Sequence, residues 1–436
     1  MHAALVARPC SCIRRLGGTR SQEMRFTRFL RNPSVSVEAM SRHAGALTAA
    51  RAAGREVVAI QDTSELVLGG RRARANGYGP VGKGGRLGGL LLHPVLVAEA
   101  GSGALLGLAS LQVRNRTGGG KVGSRRKRRT VAKESQRWLD GLRRAGAVLA
   151  AAARVSMLCD REGDFYELFA APRPANLELI VRACQNRRLA GEGAERLLFA
   201  AIDATEEQDR FTVQLPAAPG RAARLARLAL RFAPVVLRKP RHGADPALPD
   251  SIGLSLIDLR ELAIPPDGSA PLHWRLLATE PIATPAQARR VIELYCQRWI
   301  IEEFFHTLKT AGFDIEAADI SAPQAMSNFA AAAAIAALTV KQLVQARDGT
   351  TDQRIADAFE PDDQPLLEAI SDKLAGKTTR QQNPHPKGTL AFATWVIARL
   401  GGWTGYYGKP GPKVMRRGLH EFHVIKFGAT LRPHDV

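Results

Sequence analysis

One segment constrains this chain more than any other: the stretch from Tyr295 to Lys309 contains neither Gly nor Pro and is predicted to be helical. At about 100° per residue, one helix face carries four notable side chains within an arc of roughly 60°: Tyr295, Arg298, Glu302 and Lys309. An aromatic ring, a carboxylate and two cations do not make the apolar stripe of a core helix. They suit a carboxylate that holds a metal ion, beside groups that contact a nucleic-acid phosphate and base. Glu303 is the rival carboxylate, but it lies about 100° away from this face.

Phosphodiester chemistry at such a site requires further acids, because two metal ions about 4 Å apart activate the attacking and leaving oxygens. Two upstream aspartates are candidates, since each ends a short apolar run that predicts a buried strand; they are Asp62 and Asp160. A single aspartate at a strand end is more often a turn or helix-capping residue, and Glu162 and Asp164 are expected to be capping or supporting acids. Two such strands followed by a Glu-bearing helix predict an Asp-Asp-Glu triad on an α/β, RNase-H-like fold.

Taken together, these motifs resemble those of bacterial DDE transposases of the insertion-sequence-four family, the group that includes the transposase of transposon five. The helix matches the signature Tyr, two residues, Arg, three residues, Glu, six residues, Lys. The segment Asp160-Arg-Glu-Gly-Asp164 resembles the second-Asp motif, and Ala59-Ile-Gln-Asp62-Thr63 resembles the first. The resemblance implies an RNase-H-like, retroviral-integrase-type catalytic core. It also implies a catalytic triad of Asp62, Asp160 and Glu302 that holds two Mg²⁺ ions, for which Mn²⁺ substitutes.

The same resemblance implies a set of DNA-contacting side chains. Tyr295, Arg298 and Lys309 are expected to contact the phosphate and a base near the cleavage point. Trp274 is expected to stack on a base that is flipped out of the duplex, although a Trp on an apolar strand also suits plain core packing. Arg182 matches an arginine that contacts the same DNA end, and a structural ion pair is the equally weighted alternative.

Composition and resemblance divide the chain into five expected regions. These are a truncated or divergent DNA-end-recognition remnant (1–50), the first part of the catalytic core (51–185), a β-rich insertion subdomain (186–268), the second part of the core with the Glu helix (269–346) and a helical dimerisation region (347–436). Three strands are expected between 56 and 113, and a single signature helix from Pro285 to Thr310. The Gly- and Arg-rich segment 114–129 is expected to be either a solvated loop or a DNA-backbone contact.

The charge balance agrees with a nucleic-acid partner, because 62 Lys and Arg residues against 41 Asp and Glu residues give a formal net charge of +21. The Ala-rich run from Phe329 to Val340 is too short to span a membrane. It predicts a packed helix, so no membrane partner is expected. Five scattered cysteines suggest no disulfide framework. A reduced, cytoplasmic protein associated with the bacterial nucleoid is therefore expected.

The resemblance implies a cut-and-paste DNA transposase. It would nick the terminal inverted repeats of an insertion sequence, form a hairpin intermediate and join the freed 3′-OH to target DNA within a synaptic homodimer. Residues 1–24 do not match the family, whose members carry a longer N-terminal helical domain. That difference motivates an alternative, a truncated and non-catalytic DNA-binding or dimerising remnant that inhibits the full-length enzyme. A general nuclease on the same fold is a third interpretation, but it would not need Trp274 or the C-terminal region.

Overall fold

The chain forms two compact units. The computed structural model describes residues 1–8, 10–116, 134–190, 197–217, 222–241, 245–265, 268–310 and 313–430. Unit 1 comprises Met1–Val57, Thr63–Gly119 and Trp299–Val436, and unit 2 comprises Val58–Asp62 and Gly120–Arg298. Most of the basic segment 114–129 lies outside the described residues, so both interpretations of it stay predictions.

The α-helices of the described residues are, in chain order, α1 (His2–Ala7), α2 (Ile13–Gly17), α3 (Arg20–Arg31), α4 (Val37–Ala52), α5 (Arg71–Ala75), α6 (Gln136–Val148), α7 (Tyr166–Ala170), α8 (Leu198–Asp203), α9 (Pro285–Cys296), α10 (Trp299–Lys309), α11 (Pro323–Ala346), α12 (Asp363–Leu374), α13 (Leu390–Leu400) and α14 (Pro412–Thr430). The β-strands are β1 (Glu56–Gln61), β2 (Ser64–Gly69), β3 (Gly79–Val81), β4 (Leu87–Glu99), β5 (Leu105–Arg114), β6 (Arg154–Cys159), β7 (Leu177–Arg182), β8 (Asp209–Leu215), β9 (Arg224–Arg238), β10 (Ser251–Glu261) and β11 (His273–Ala278).

Unit 2 is built on a mixed sheet whose strands lie in the order β1-β6-β7-β11-β10-β9-β8. β6 and β7 are parallel, and every neighbouring pair from β7 to β8 is antiparallel. β1 and β6 are each buried at every position after the first. Burial on both faces explains why their sequences are nearly continuous apolar runs instead of alternating ones. The predicted α/β class is confirmed, and a large mixed sheet is consistent with the expected RNase-H-like core.

In unit 1, β4 pairs antiparallel with β2, β3 and β5, and α11 forms the centre of the helical packing. By length and apolarity α11 could cross a membrane, yet 83% of its most apolar window is buried inside the protein. It packs against β5 and against helices that include α1, α10 and α13. The Asn328 side chain on α11 donates to the backbone oxygens of Leu30 and Val35, each at 3.0 Å. The packed helix predicted from the sequence is therefore present, and it extends beyond the predicted run 329–340.

The expectation of one continuous helix over 285–310 is wrong. Two helices, α9 and α10, occupy this stretch, and Gln297 and Arg298 lie between them. The Arg298 N–H donates to the carbonyl of Tyr295, three residues back, at 3.0 Å. This tighter turn interrupts the four-residue hydrogen-bond spacing of an α-helix. Tyr295 consequently lies on α9, Glu302 and Lys309 lie on α10, and Arg298 lies at the break.

The sequence also predicted too few strands between 56 and 113. β2 and β3 lie in this stretch in addition to the three expected strands. β3 has three residues, two of which are Gly79 and Pro80, so its composition is that of a turn. β2 begins with Ser64 and Glu65, and its burial does not follow a clear two-residue alternation. Neither strand therefore carries the apolar pattern on which strand prediction depends.

A close helix contact in unit 1 generates a stability prediction. A Cβ atom added to Gly418 of α14 would lie 1.7 Å from the carbonyl oxygen of Ile397 on α13. We expect Gly418→Ala to destabilise the protein by about 1–3 kcal/mol, because the two helix backbones must separate. The measurement is the urea concentration at the midpoint of unfolding.

Gly428→Ala is the matched control on the same helix. Nothing lies within 4 Å of the Cβ that it adds, and alanine has the higher helix propensity. The midpoint of this variant should stay unchanged or rise slightly. A similar loss of stability in both variants would contradict the proposed close approach of α13 and α14.

Candidate active site

Asp62 and Asp160 directly follow two neighbouring strands of unit 2, β1 and β6. The side-chain amide of Gln61, the last residue of β1, donates to Cys159 Sγ, at the end of β6, at 3.3 Å. Each aspartate comes one residue after this contact. Burial raises the pKa of the Cys159 thiol, and the negative charges of both aspartates raise it further. The structure therefore brings these two predicted acids together at the ends of their strands.

Arg298 supplies the positive charge beside the two acids. Its Nη1 lies 3.3 Å from Asp62 Oδ2, and both side chains are 17% exposed. The pKa of Asp160 is raised, chiefly by burial, while a hydrogen bond from the Glu162 N–H and the charge of Arg298 oppose that rise. The Glu162 N–H donates to Asp160 Oδ1 at 2.8 Å. Asp160 therefore also fills the capping role that the sequence left open as an alternative.

An aromatic and cationic cluster lies on the same unit. The rings of Trp274 on β11 and Tyr295 on α9 meet edge to face, with centroids 5.4 Å apart. The Arg182 guanidinium lies over the Trp274 ring at 5.3 Å and donates to the carbonyl of His273 at 2.6 Å. Tyr295 is buried, whereas Trp274 and Arg182 are partly exposed. Trp274 is thus not a fully buried core residue, and the Arg182 guanidinium contacts one face of its ring.

Arg182 makes no ion pair with a carboxylate among the described residues, so the structural alternative for it is not supported. Burial, together with the like charges of Arg161 and Arg298, lowers the pKa of Arg182 to about 10. The guanidinium still stays charged at neutral pH. Its neighbourhood therefore holds more positive charge than its own contacts neutralise, which favours an anionic ligand.

Glu302 and Lys309 lie in unit 1, on α10. Glu302 is partly exposed in the first turn of the helix. The Lys309 ammonium donates to the backbone carbonyl of Glu65 at 2.6 Å and lies 3.3 Å from Glu316. Lys309 therefore makes structural contacts in unit 1, and its predicted contact with DNA stays a prediction. Glu303, the rival of Glu302, pairs with Lys341 of α11 at 2.5 Å.

Asp164 and Glu162 are held by ion pairs of unit 2. Asp164 is buried, and its carboxylate accepts the backbone N–H groups of Cys184 and Gln185 at 2.7 and 2.8 Å. It also pairs with Arg187 at 2.8 Å. Glu162 pairs with Arg137 at 2.6 Å. Both acids therefore make contacts within unit 2 of the kind expected of supporting acids, and their place outside the triad stays a prediction.

The donor chemistry of Asp62 and Asp160 suits a hard divalent cation. Mg²⁺ prefers carboxylate oxygens and is commonly bound through one or two carboxylates. Two partly buried carboxylates at adjacent strand ends attract positive charge, and in this structure Arg298 supplies part of it. Within the described ranges, no group of three or more His, Cys, Asp or Glu side chains is arranged to hold a metal ion. Asp62 and Asp160 supply carboxylate oxygens of the kind that the expected ions prefer, whereas the third predicted ligand, Glu302, lies in unit 1, so the triad stays a prediction.

Two residues of this site were missed in the sequence. Gln61 is fully buried at the end of β1, and its hydrogen bond to Cys159 connects β1 with β6. The sequence shows a polar residue in an apolar run, but it does not indicate the partner of that residue. Arg161 is exposed, directly follows Asp160, and its charge acts on Arg182. The sequence signal for Arg161 is its position inside the segment Asp160-Arg-Glu-Gly-Asp164.

One comparison with known proteins bears on this site. Residues 120–339, just over half of the chain, match the family model described as the transposase DDE domain. The matched range contains Asp160, Arg182 and Trp274 as well as the whole of α9 and α10. Asp62 lies upstream of it.

The buried pair of Asp164 and Arg187 generates a second stability prediction. Asp164→Ala should destabilise the protein by about 3–5 kcal/mol, because it leaves a guanidinium that is 9% exposed without its carboxylate. Asp250→Ala is the matched control, since Asp250 is 97% exposed in its pair with Lys239 and such pairs contribute little. Thermal unfolding of both variants checks this. Equal melting temperatures of the two variants would show that the contacts of Asp164 with Arg187 and with the backbone of Cys184 and Gln185 do not stabilise the protein.

Proposed function

We propose that this chain, which belongs to the transposase DDE-domain family, is a DNA transposase that moves an insertion sequence by cut-and-paste phosphoryl transfer. One observation carries the proposal: the paired aspartates of β1 and β6 lie beside a cluster of arginines and aromatic rings. Acids that suit a metal ion are thereby placed next to groups that suit a phosphate and a base. A relationship to the insertion-sequence-four family is part of the proposal and rests on the signature motifs.

Asp62, Asp160 and Glu302 are the proposed ligands of two Mg²⁺ ions, with Mn²⁺ as a substitute. Bound there, the ions would activate the attacking oxygen and stabilise the charge on the leaving oxygen. The carboxylates have to be ionised to bind them. Arg298 helps here, because its charge opposes the rise in the pKa of Asp160.

The arginines and Tyr295 are proposed to hold the DNA end. Arg182 and Arg298 offer guanidinium groups that can form paired hydrogen bonds to phosphate oxygens. Arg298 contacts Asp62 in this structure, so its attraction to a phosphate increases once metal ions neutralise the acids. Tyr295 is buried against Trp274 and keeps that ring in position. Lys309 adds a further cation, although its ammonium group also contacts the backbone carbonyl of Glu65 and the carboxylate of Glu316.

Trp274 is proposed to stack on a base flipped out of the duplex. The ring is partly exposed, and its edge contacts Tyr295 while Arg182 lies over it. Flipping a base costs a few kcal/mol, and stacking on an aromatic side chain offsets about 1–3 kcal/mol. A hairpin at the DNA end requires such a distortion of the strand.

The proposed reaction proceeds by successive displacements at phosphorus. Water attacks at the end of the element and releases a 3′-OH, which attacks the opposite strand to form a hairpin. A second water opens the hairpin, and the freed 3′-OH joins target DNA. We place the protein in the bacterial cytoplasm as a synaptic homodimer, with β8, β9 and β10 in the insertion subdomain and α12 to α14 in the dimerisation region.

Substitutions of the two adjacent glutamates of α10, Glu302 and Glu303, test the assignment of Glu302 to the triad. Glu302→Gln should abolish cleavage of a terminal-repeat duplex, because an amide cannot supply the negative oxygen that a metal ion requires. DNA affinity should stay largely intact, since the DNA-contacting cations are unchanged. The measurements are nicked product on a denaturing gel and the dissociation constant of a labelled duplex.

Glu303→Gln is the matched control, because Glu303 is engaged with Lys341. Its cleavage rate should stay within a few-fold of the wild type. Cleavage by Glu302→Gln at the wild-type rate would show that Glu302 is not a member of the triad. Equal loss in both variants would indicate a structural effect on α10.

The base-flipping role predicts different effects on two steps. Trp274→Ala should slow hairpin formation about tenfold or more and slow first-strand nicking much less, because only the hairpin step needs the flipped base. Trp274→Phe keeps an aromatic ring and should recover most of the hairpin rate. Quenched time courses on one labelled duplex separate the two products. Equal slowing of both steps in Trp274→Ala would argue against flipping.

A further inference from the structure

A cavity of about 390 Å³ lies in the C-terminal part of unit 1. Its walls come from the end of α11, the segment 379–385, α13 and the segment 403–410. The residues that matter for its chemistry are Arg347, Arg380, His385, Thr394, Trp395 and Trp403. None of them belongs to the proposed active site. A volume of this size lies within the range of small-molecule sites, at about 300–1,000 Å³.

The charged groups around the cavity favour an anion. Asp348 is the carboxylate in its wall, and it pairs with Lys409 at 2.9 Å. Arg347 lies 3.9 Å from the same carboxylate and donates to the carbonyl of Pro410 at 3.1 Å. Arg380 is exposed and forms no ion pair within the part of the chain that the structure describes. The wall therefore carries two guanidinium groups and a single carboxylate, and that carboxylate is already paired with Lys409.

Two buried polar atoms around the cavity have no hydrogen-bond partner among the described residues: Thr394 Oγ1 and Arg347 Nε. Thr394 is only 1% exposed on α13. A buried hydroxyl without a partner costs about 1–3 kcal/mol relative to one that is paired. Both atoms belong to residues that line the cavity, so unsatisfied polar groups lie in or next to its wall.

Aromatic rings complete the wall. The Trp403 indole N–H donates to the carbonyl of Gly408 at 3.1 Å, which fixes the ring while leaving it partly exposed. Trp395 is buried. Burial lowers the pKa of His385 below its usual value, so this ring is neutral at pH 7 and can exchange hydrogen bonds with a base. A bare phosphate would leave these rings unused, and an apolar ligand would leave the guanidinium groups desolvated and unpaired.

We propose that this cavity binds one nucleotide, with its base against Trp403 and its phosphate against Arg380 and Arg347. The combination of an aromatic platform with cations is the one that recognises unpaired nucleotides. The inference goes beyond the proposed function, because none of the residues that line the cavity belongs to the proposed active site. A free mononucleotide and an unpaired nucleotide of a DNA strand share this chemistry, and the experiment separates them.

The test uses the full chain and two fluorescent probes: 2-aminopurine deoxyriboside 5′-monophosphate, and a short single-stranded oligonucleotide with one internal 2-aminopurine. Stacking on an indole quenches this base, so saturable quenching is expected with at least one probe. Arg380→Ala should raise the dissociation constant about tenfold, the loss expected for one charge-assisted hydrogen bond to phosphate. Trp403→Leu should abolish the quenching, and Trp403→Phe should retain part of it.

Lys377→Ala is the matched control, because Lys377 is an exposed cation three residues from Arg380 that does not line the cavity. Its dissociation constant should equal that of the wild type. Equal weakening in Lys377→Ala and Arg380→Ala would indicate general electrostatic attraction and overturn the site. Absence of saturable quenching with both probes would overturn it as well.

The two probes also identify the source of the nucleotide. Binding of the monophosphate alone indicates a free nucleotide, and binding of the oligonucleotide alone indicates a strand. Nicking of a terminal-repeat duplex is measured on the same preparations. If the wild type nicks the duplex but shows no quenching, the nucleotide site is refuted and the proposed function stands. If it shows saturable quenching but no nicking, the nucleotide site is supported and the proposed function is not.

Discussion

The contact between Arg298 and Asp62 is the interaction on which the candidate active site depends. Burial makes the ionised form of Asp160 costly and raises its pKa, and the negative charge of Glu162 raises it further. A guanidinium 3.3 Å from Asp62 offsets that cost. Arg298 can reach this position because α9 ends just before it, at a turn that breaks the helix. The same guanidinium also acts on Arg182 and Tyr295, so one cation connects the acids with the proposed DNA contacts.

The positions of Asp62 and Asp160 at strand ends could be predicted from the sequence, because each acid directly follows a continuous apolar run. Buried strands need apolar residues on both faces, and an acid has to lie where they end. The grouping of Trp274 with Arg182 and Tyr295 was not available from any local pattern. It depends on the pairing of β11 with β7, and only the family resemblance suggested that these residues act together.

Other features were beyond prediction for the same physical reason, namely that they depend on tertiary contacts. The break at Arg298 carries no Gly or Pro, so helix propensity alone favours a continuous helix. Lys309 contacts the backbone of β2, a strand that the sequence did not reveal. The C-terminal cavity brings Arg347 and Trp403 together from α11 and a loop. Their separation in sequence gives no periodic signal.

Metal-dependent cleavage tests the central claim most directly. The experiment compares a duplex that carries the element's own terminal repeat with an unrelated duplex of equal length, in the presence and absence of Mg²⁺. Wild-type protein is expected to nick only the terminal repeat, only with Mg²⁺, and folded Asp160→Ala is expected to nick neither. Nicking by Asp160→Ala at the wild-type rate would contradict the assignment of the strand-end acids. Equal nicking of both duplexes by the wild type would point to a general nuclease.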